Sequence, residues 1–134
     1  MKILIVVLAI IAMLLGYFMA AKEAESYVSR LPYVSRGTQD IRLYAAEKVL
    51  DKWGGGQYTY FSKIVEAESS WNPLAANPRS SARGLCQALT KLHDLPEDYL
   101  TNPYSQIDWC IQYIKTKFGS PEKAWKFWQK NHYF

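Results

Sequence analysis

The run from Ile3 to Ala21 is apolar throughout, and no other feature constrains the folding of this chain as strongly. Lys2 and the terminal amine precede it, and Lys22, Glu23 and Glu25 follow at once. At 1.5 Å per residue a helix of that length reaches roughly 28 Å, close to the hydrocarbon thickness of a bilayer. A cleaved secretory signal has a shorter apolar core and small residues one and three places before the cut. Near this boundary the pairs are Ala20 with Phe18 and Ala21 with Met19, both poor fits. Residues 1–21 are therefore expected to be an uncleaved signal-anchor, the alternative being a cleaved signal peptide and a secreted domain. Positive charge before the run and acidic residues after it place the N-terminus in the cytoplasm. The remainder is then expected outside the cytoplasmic membrane, in the periplasm or beyond.

What is left is roughly a hundred residues, enough for one core. Residues 22–37 are polar, interrupted by Leu31-Pro32 and ended by Arg36-Gly37, without periodicity, and read as a tether. The folded domain is expected over 38–134. Aromatic residues make up 15% of the chain, including five Trp and ten Tyr, and most lie beyond residue 43, which excludes a disordered solvating segment. The formal charge of +4 comes from scattered Lys and Arg rather than a basic run. That is a mild steering field and not a nucleic-acid footprint.

Helical spacing dominates the domain. Ile41, Tyr44, Ala45, Val49 and Trp53 share one stripe, which Gly54-Gly55-Gly56 ends. A second helix is expected from Tyr58 to Ser70. Asn102-Pro103 reads as a cap with proline at the first helical position, opening a helix with Ile107, Cys110, Ile111, Ile114 and Phe118 on one face and Gly119 at its end. Ser120-Pro121 repeats the signal for a last helix carrying Ala124, Trp125 and Trp128. The loop from Asn72 to Arg83 leaves room for a short hairpin. The fold class is all-α, or an α-dominant α+β.

On the second helix Phe61, Ile64 and Val65 precede Glu68 by seven, four and three residues, offsets that share a face. A carboxylate on an apolar face loses water, so its charged form is disfavoured and its pKa moves toward the range of a general acid. Periodicity alone leaves a second reading open, a carboxylate bonded to backbone amides at a helix end. Glu66 points to the polar side, where a loose pair with Lys63 is expected.

The order Glu68-Ser69, Trp71-Asn72-Pro73, Asn77-Pro78 and Gly84-Leu85-Cys86-Gln87 resembles the soluble lytic transglycosylase family of the lysozyme superfamily. There the catalytic Glu is followed by Ser and an aromatic-Asn-Pro turn, and a Gly-Leu-x-Gln segment returns across the cleft. Downstream, Thr101-Asn102-Pro103, Gln106-Ile107-x-Trp109, Tyr113-Ile114-Lys115, Gly119-Ser120-Pro121 and Ala124-Trp125-x-x-Trp128-Gln129-x-Asn131-His132 are similar to the transglycosylase-like domains of aggregation-promoting-factor surface proteins. The resemblance spans roughly 38–134. Two positions depart from it: the family's Ala-Tyr-Asn is here Ala124-Trp125-Lys126, and the Ser common after the Glu-Ser pair is Asn77. Both bear on the polar side of the sugar site rather than on the acid.

The resemblance implies a lysozyme-like domain acting on peptidoglycan glycan strands, with Glu68 as the sole catalytic residue. Most glycosidases divide the work between two carboxylates. The sequence nominates no second one, since Asp94, Glu97 and Asp98 lie in a loop with Pro96, and Asp108 is expected to face water. In the family's chemistry Glu68 protonates the bond oxygen after a muramic acid residue and then, as a carboxylate, takes a proton from that sugar's C6 hydroxyl, leaving a 1,6-anhydromuramoyl end. Gln87, Ser69 and Asn77 are candidate donors to sugar amides and hydroxyls. The resemblance puts Tyr113 and Trp125 ahead of Trp71, Trp109 and Trp128 as cleft aromatics. No metal or organic cofactor is expected, and His93 and His132 read as isolated surface histidines. Cys86 and Cys110 read either as buried thiols or as a disulfide that an exported domain permits. Two other functions remain open, a non-catalytic peptidoglycan-binding module and a hydrolytic lysozyme. Short anchored enzymes of this kind act in phage particles, lysis, secretion or conjugation machines and wall remodelling, so assembly into a larger envelope or virion complex is an expected setting.

Overall fold

Apolar residues at helical spacing generate the architecture seen in the computed structural model, which describes residues 36–134. The expected anchor over residues 1–21, and nearly all of the expected tether, lie outside the described residues. Among the described residues no helix is long and apolar enough to cross a membrane.

Four helices and one small hairpin make a helix-dominant fold, in the order α1 (Arg36–Trp53), α2 (Gln57–Ser69), β1 (Ala82–Arg83), β2 (Ala88–Leu89), α3 (Pro103–Lys117) and α4 (Pro121–Asn131). In α1 the buried Ile41, Ala45 and Val49 recur every four residues, and Trp53 at its end donates its indole N–H to Gly119 O at 2.7 Å. Helix α2 buries Phe61, Ile64 and Val65. It packs against both α1 and α4, while α3 packs on α1 and α4. Helix α3 begins as its sequence dictates: the Asn102 side chain accepts the Tyr104 N–H, and Pro103 occupies the first turn, where a missing N–H costs nothing. Ser120 and Pro121 start α4 in the same way.

Three expectations need correction. Helix α1 starts at Arg36, so Arg36 and Gly37 belong to a helix rather than to the tether. The hairpin pairs Ala82 with Leu89 and Arg83 with Ala88, so it lies at the end of the loop rather than within it, with only an isolated bridge, Ala76 to Arg83, inside. Glu66 pairs with Arg42 across the α1–α2 contact at 3.0 Å, not with Lys63. The Arg42 guanidinium also lies 4.6 Å from the centre of the Trp71 ring, which it reaches because Trp71 folds beneath α2. Lys63 instead lies over Tyr60 and Trp125.

The two cysteines form the disulfide Cys86–Cys110, tying the hairpin turn to the middle of α3. Both cysteines belong to the main core cluster, together with residues of α1, α2 and α4.

Candidate active site

Glu68 occupies the last turn of α2. The chain then makes two successive left-handed residues, Ser70 at φ 51° and Trp71 at φ 60°. Both are unusual for residues with a Cβ. They reverse the chain so that Trp71 is driven into the core, with 1% of its surface exposed. Trp71 is therefore a packing residue, resting edge-on against Phe61, and offers no face to a sugar.

The Glu68 carboxylate is half-buried, and Trp128 of α4 donates its indole N–H to Oε1 at 2.6 Å. Burial pushes the Glu68 carboxyl above the ordinary glutamate range, and the Trp128 hydrogen bond opposes that shift in part. The carbonyl end of α2 disfavours negative charge there and acts in the same direction as burial. No neighbouring carboxylate contributes to the shift. Two carboxyls set roughly 5–5.5 Å apart, as in a retaining glycosidase, would each raise the other. Asp108 is engaged elsewhere: both its oxygens lie 2.9 Å from the Tyr44 hydroxyl, which donates to them, and Tyr44 is pushed up to about 12 by desolvation and by this carboxylate. Asp98 accepts from Asn102 and Ser105 at the start of α3, which holds its carboxyl below the usual range.

The segment Gly84–Gln87 is fixed against the end of α2 from two sides. Ser69 donates its hydroxyl to Leu85 O at 2.8 Å and to Val65 O at 3.1 Å. Gln106, buried in α3, accepts the Leu85 N–H at 2.8 Å through Oε1, while its amide donates to Tyr99 O at 2.9 Å and Pro73 O at 3.1 Å. One side chain thus satisfies three backbone groups from three loop positions. Gly84, at φ +79°, passes so close that a Cβ there would lie 2.6 Å from Gln106 Oε1.

The expected polar helpers are engaged inside the protein. The Gln87 amide N–H groups donate to Gly84 O at 2.9 Å and Ala75 O at 3.3 Å, which leaves Oε1 as its remaining side-chain acceptor. The Ser69 hydroxyl proton goes to backbone carbonyls. Asn77 is exposed and accepts the Arg79 N–H at 2.9 Å, shaping its own loop.

Of the two expected cleft aromatics, Trp125 stacks on Trp128 at 5.2 Å with planes 8° apart, making a half-buried double-indole platform beside Glu68. Tyr113 stacks on Trp109 at 5.0 Å and lines a groove of about 230 Å³ together with Gln87, His93 and Phe134. His93 is not an isolated surface histidine: its half-buried ring packs against Trp109 and Tyr113. Two chain paths join the groove to Glu68. Gln87 follows Leu85, the partner of Ser69, by two residues, a reach of about 7 Å. His132, two residues before Phe134, rests edge-on against Trp128.

Sequence reasoning missed two residues of this site. The resemblance favours Trp125, yet Trp128, three residues further along α4, lies on the same face and is the one that bonds Glu68. Gln106 falls beside the α3 stripe; the signals available for it are its place next to Ile107 and its presence in the Gln106-Ile107-x-Trp109 motif, neither of which indicates a buried clamp. Among the described residues no cluster of His, Cys, Asp or Glu could hold a metal ion. No protein-family model, curated protein or solved structure matches this chain significantly.

Proposed function

We propose that this chain is a peptidoglycan lytic transglycosylase with a lysozyme-like domain, in which Glu68 serves first as acid and then as base. The observation that carries the proposal is a carboxyl with a raised pKa, half-buried at a helix end, held by one indole and free of any carboxylate partner. The motif resemblance around Glu68 supplies the substrate class.

Glu68 has one engaged oxygen and one free. With Trp128 donating to Oε1, a proton on the acid form resides on Oε2. Oε2 delivers that proton to the oxygen linking a muramic acid C1 to the next N-acetylglucosamine, and the C1–O bond breaks. The carboxylate, now charged and supported by Trp128, takes the proton from the muramic C6 hydroxyl. The C6 oxygen closes on C1 and Glu68 is protonated again, so no water is consumed and no second carboxylate is required. The Trp125–Trp128 platform offers the apolar face that a sugar ring stacks against.

The disulfide supports a domain outside the cytoplasm, where such bonds persist. The run Ile3 to Ala21 anchors it to the membrane, and location confines the activity to the wall.

The test is mass spectrometry of fragments released from purified peptidoglycan. Anhydromuramoyl ends support the transglycosylase, reducing ends would make it a hydrolytic lysozyme, and no release would leave a wall-binding module.

A further inference from the structure

Lys117 ends α3 beside the groove that Trp109, Tyr113, His93, Gln87 and Phe134 line. A lysine in the last turn of a helix is common, because it complements the carbonyl end. The surroundings of this one are not common. Its Nζ lies 5.1, 5.3 and 5.9 Å from the ring centres of Tyr113, Phe118 and Phe127, and it donates to the Tyr113 hydroxyl at 2.6 Å. These contacts hold an otherwise mobile ammonium at one place on the groove wall. Among the described residues no carboxylate forms an ion pair with it; the two ion pairs there are Arg42 with Glu66 and Lys126 with Glu122. No acidic side chain lines the groove. One ammonium proton goes to the neutral Tyr113 hydroxyl and, among the described residues, none of the three has an anionic acceptor, so the ring faces and Gln87 line a small cleft with Lys117 as its basic corner.

We infer that this groove binds a carboxylate-bearing side group of the glycan strand, with Lys117 pairing to the carboxylate and Trp109 and Tyr113 packing on its aliphatic part. The inference rests on the proposed peptidoglycan substrate and names the part of it that the groove takes. A volume of about 230 Å³ is below the roughly 300–1,000 Å³ of pockets that enclose whole small ligands, so it suits one residue-sized group of a longer polymer. The glycan itself is neutral apart from its muramic acid units, each bearing a lactyl ether that ends either in a free carboxylate or in a peptide with carboxylates of its own. Both sources offer the same chemistry. Ser69, next to Glu68 in sequence, bonds Leu85, and Cys86 and Gln87 just beyond it line the groove, so a side group held here would fix where along the strand Glu68 acts.

The experiment measures binding to the full chain in neutral detergent by isothermal titration calorimetry. Three soluble probes are titrated: a muramoyl-peptide disaccharide, the same disaccharide without peptide, and a neutral N-acetylglucosamine trimer. The charged probes are expected to bind roughly five- to tenfold more tightly than the trimer, a preference that falls at high salt. Lys117→Met is expected to erase the preference without changing trimer affinity, and Lys117→Arg to restore most of it. Lys117 is exposed, so both variants should fold. Stronger binding of the peptide-bearing disaccharide assigns the groove to the peptide carboxylates, stronger binding of the peptide-free one assigns it to the lactyl carboxylate, and equal binding, with both above the trimer, shows that the groove takes a carboxylate from either source. Equal affinity for all three probes, or a preference that survives Lys117→Met, overturns the inference. Anhydro products released by the wild type show separately whether the proposed reaction stands.

Discussion

Trp128 donates its indole N–H to Glu68 Oε1 at 2.6 Å across 60 residues of sequence, fixing one oxygen of the carboxyl. The same bond favours the charged form of a group whose charged form burial disfavours. A residue that must give up a proton and then take one back needs both influences, since either alone would hold it in one state.

Trp128→Phe keeps most of the packing and removes the donor. Its absence lets burial act unopposed, so the Glu68 pKa moves further up, and the alkaline limb of the pH–rate profile, which requires the acid form, moves up with it. Turnover near neutral pH is expected to fall roughly 10- to 100-fold, as the carboxylate formed in mid-reaction loses its support. Measuring release rates across pH 4 to 9 checks this; an unshifted limb would show that Trp128 only packs.

Glu68→Gln retains an oxygen to accept from Trp128 but carries no transferable proton. Release of anhydro fragments is expected to vanish while binding to purified walls stays close to wild type. Stability gives an independent readout with a defined sign. The folded-state pKa of Glu68 lies above its unfolded value, so its contribution is fully present below about pH 4.5 and is lost as pH rises through the folded pKa. Glu68→Gln should therefore raise the melting temperature at pH 7 more than at pH 4. The gain is at most about 1 kcal/mol, because solvent at the half-buried carboxyl screens the penalty. Substantial activity in this variant would end the proposal that Glu68 is the acid.

The Cys86–Cys110 bond closes a loop of sequence separation 24. Loop-closure entropy for that length is worth about 3 kcal/mol, and in a domain this size its loss corresponds to roughly 10–20 °C in melting temperature. Because Cys86 adjoins Gln87 and lines the groove, reduction should also loosen the groove wall. Thermal melts with and without reductant, with thiol labelling to confirm reduction, test both effects.

The helices were legible because each writes its burial locally: Ile41, Ala45 and Val49 at spacing four, or Asn102-Pro103 at a helix start. Two-residue strands carry no period, so the hairpin had no comparable signature. Of the candidate site, the half-buried position of Glu68 on α2 was legible from helical spacing, while the bonds around it were not. That Trp128 rather than Trp125 holds Glu68 depends on how α4 lies against α2, and a repeat within α4 contains no such information. Likewise the donors of Gln87 and Ser69 are defined by carbonyls of Ala75, Gly84 and Leu85 that only the folded chain brings near. A polar residue beside a motif can serve the backbone as readily as a substrate.

Gly84→Ala tests the clamp that holds the segment between groove and acid. A left-handed φ costs a residue with a Cβ about 1–2 kcal/mol, and here the new atom would also meet Gln106 Oε1 at 2.6 Å and Cδ at 2.8 Å. Gln106 would have to withdraw, leaving the Leu85 N–H and the Tyr99 and Pro73 carbonyls without their partner, so a total loss of about 3–5 kcal/mol is expected. Gln106→Met, which keeps the volume and removes the hydrogen bonds, should cost about 3 kcal/mol alone. If both substitutions act through the one clamp, the double variant should lose clearly less than the sum of the two. Urea titrations of the four chains measure the coupling. Additive losses would show that Gly84 and Gln106 hold the segment independently, and that the close approach of Gly84 is incidental to the bonds Gln106 makes.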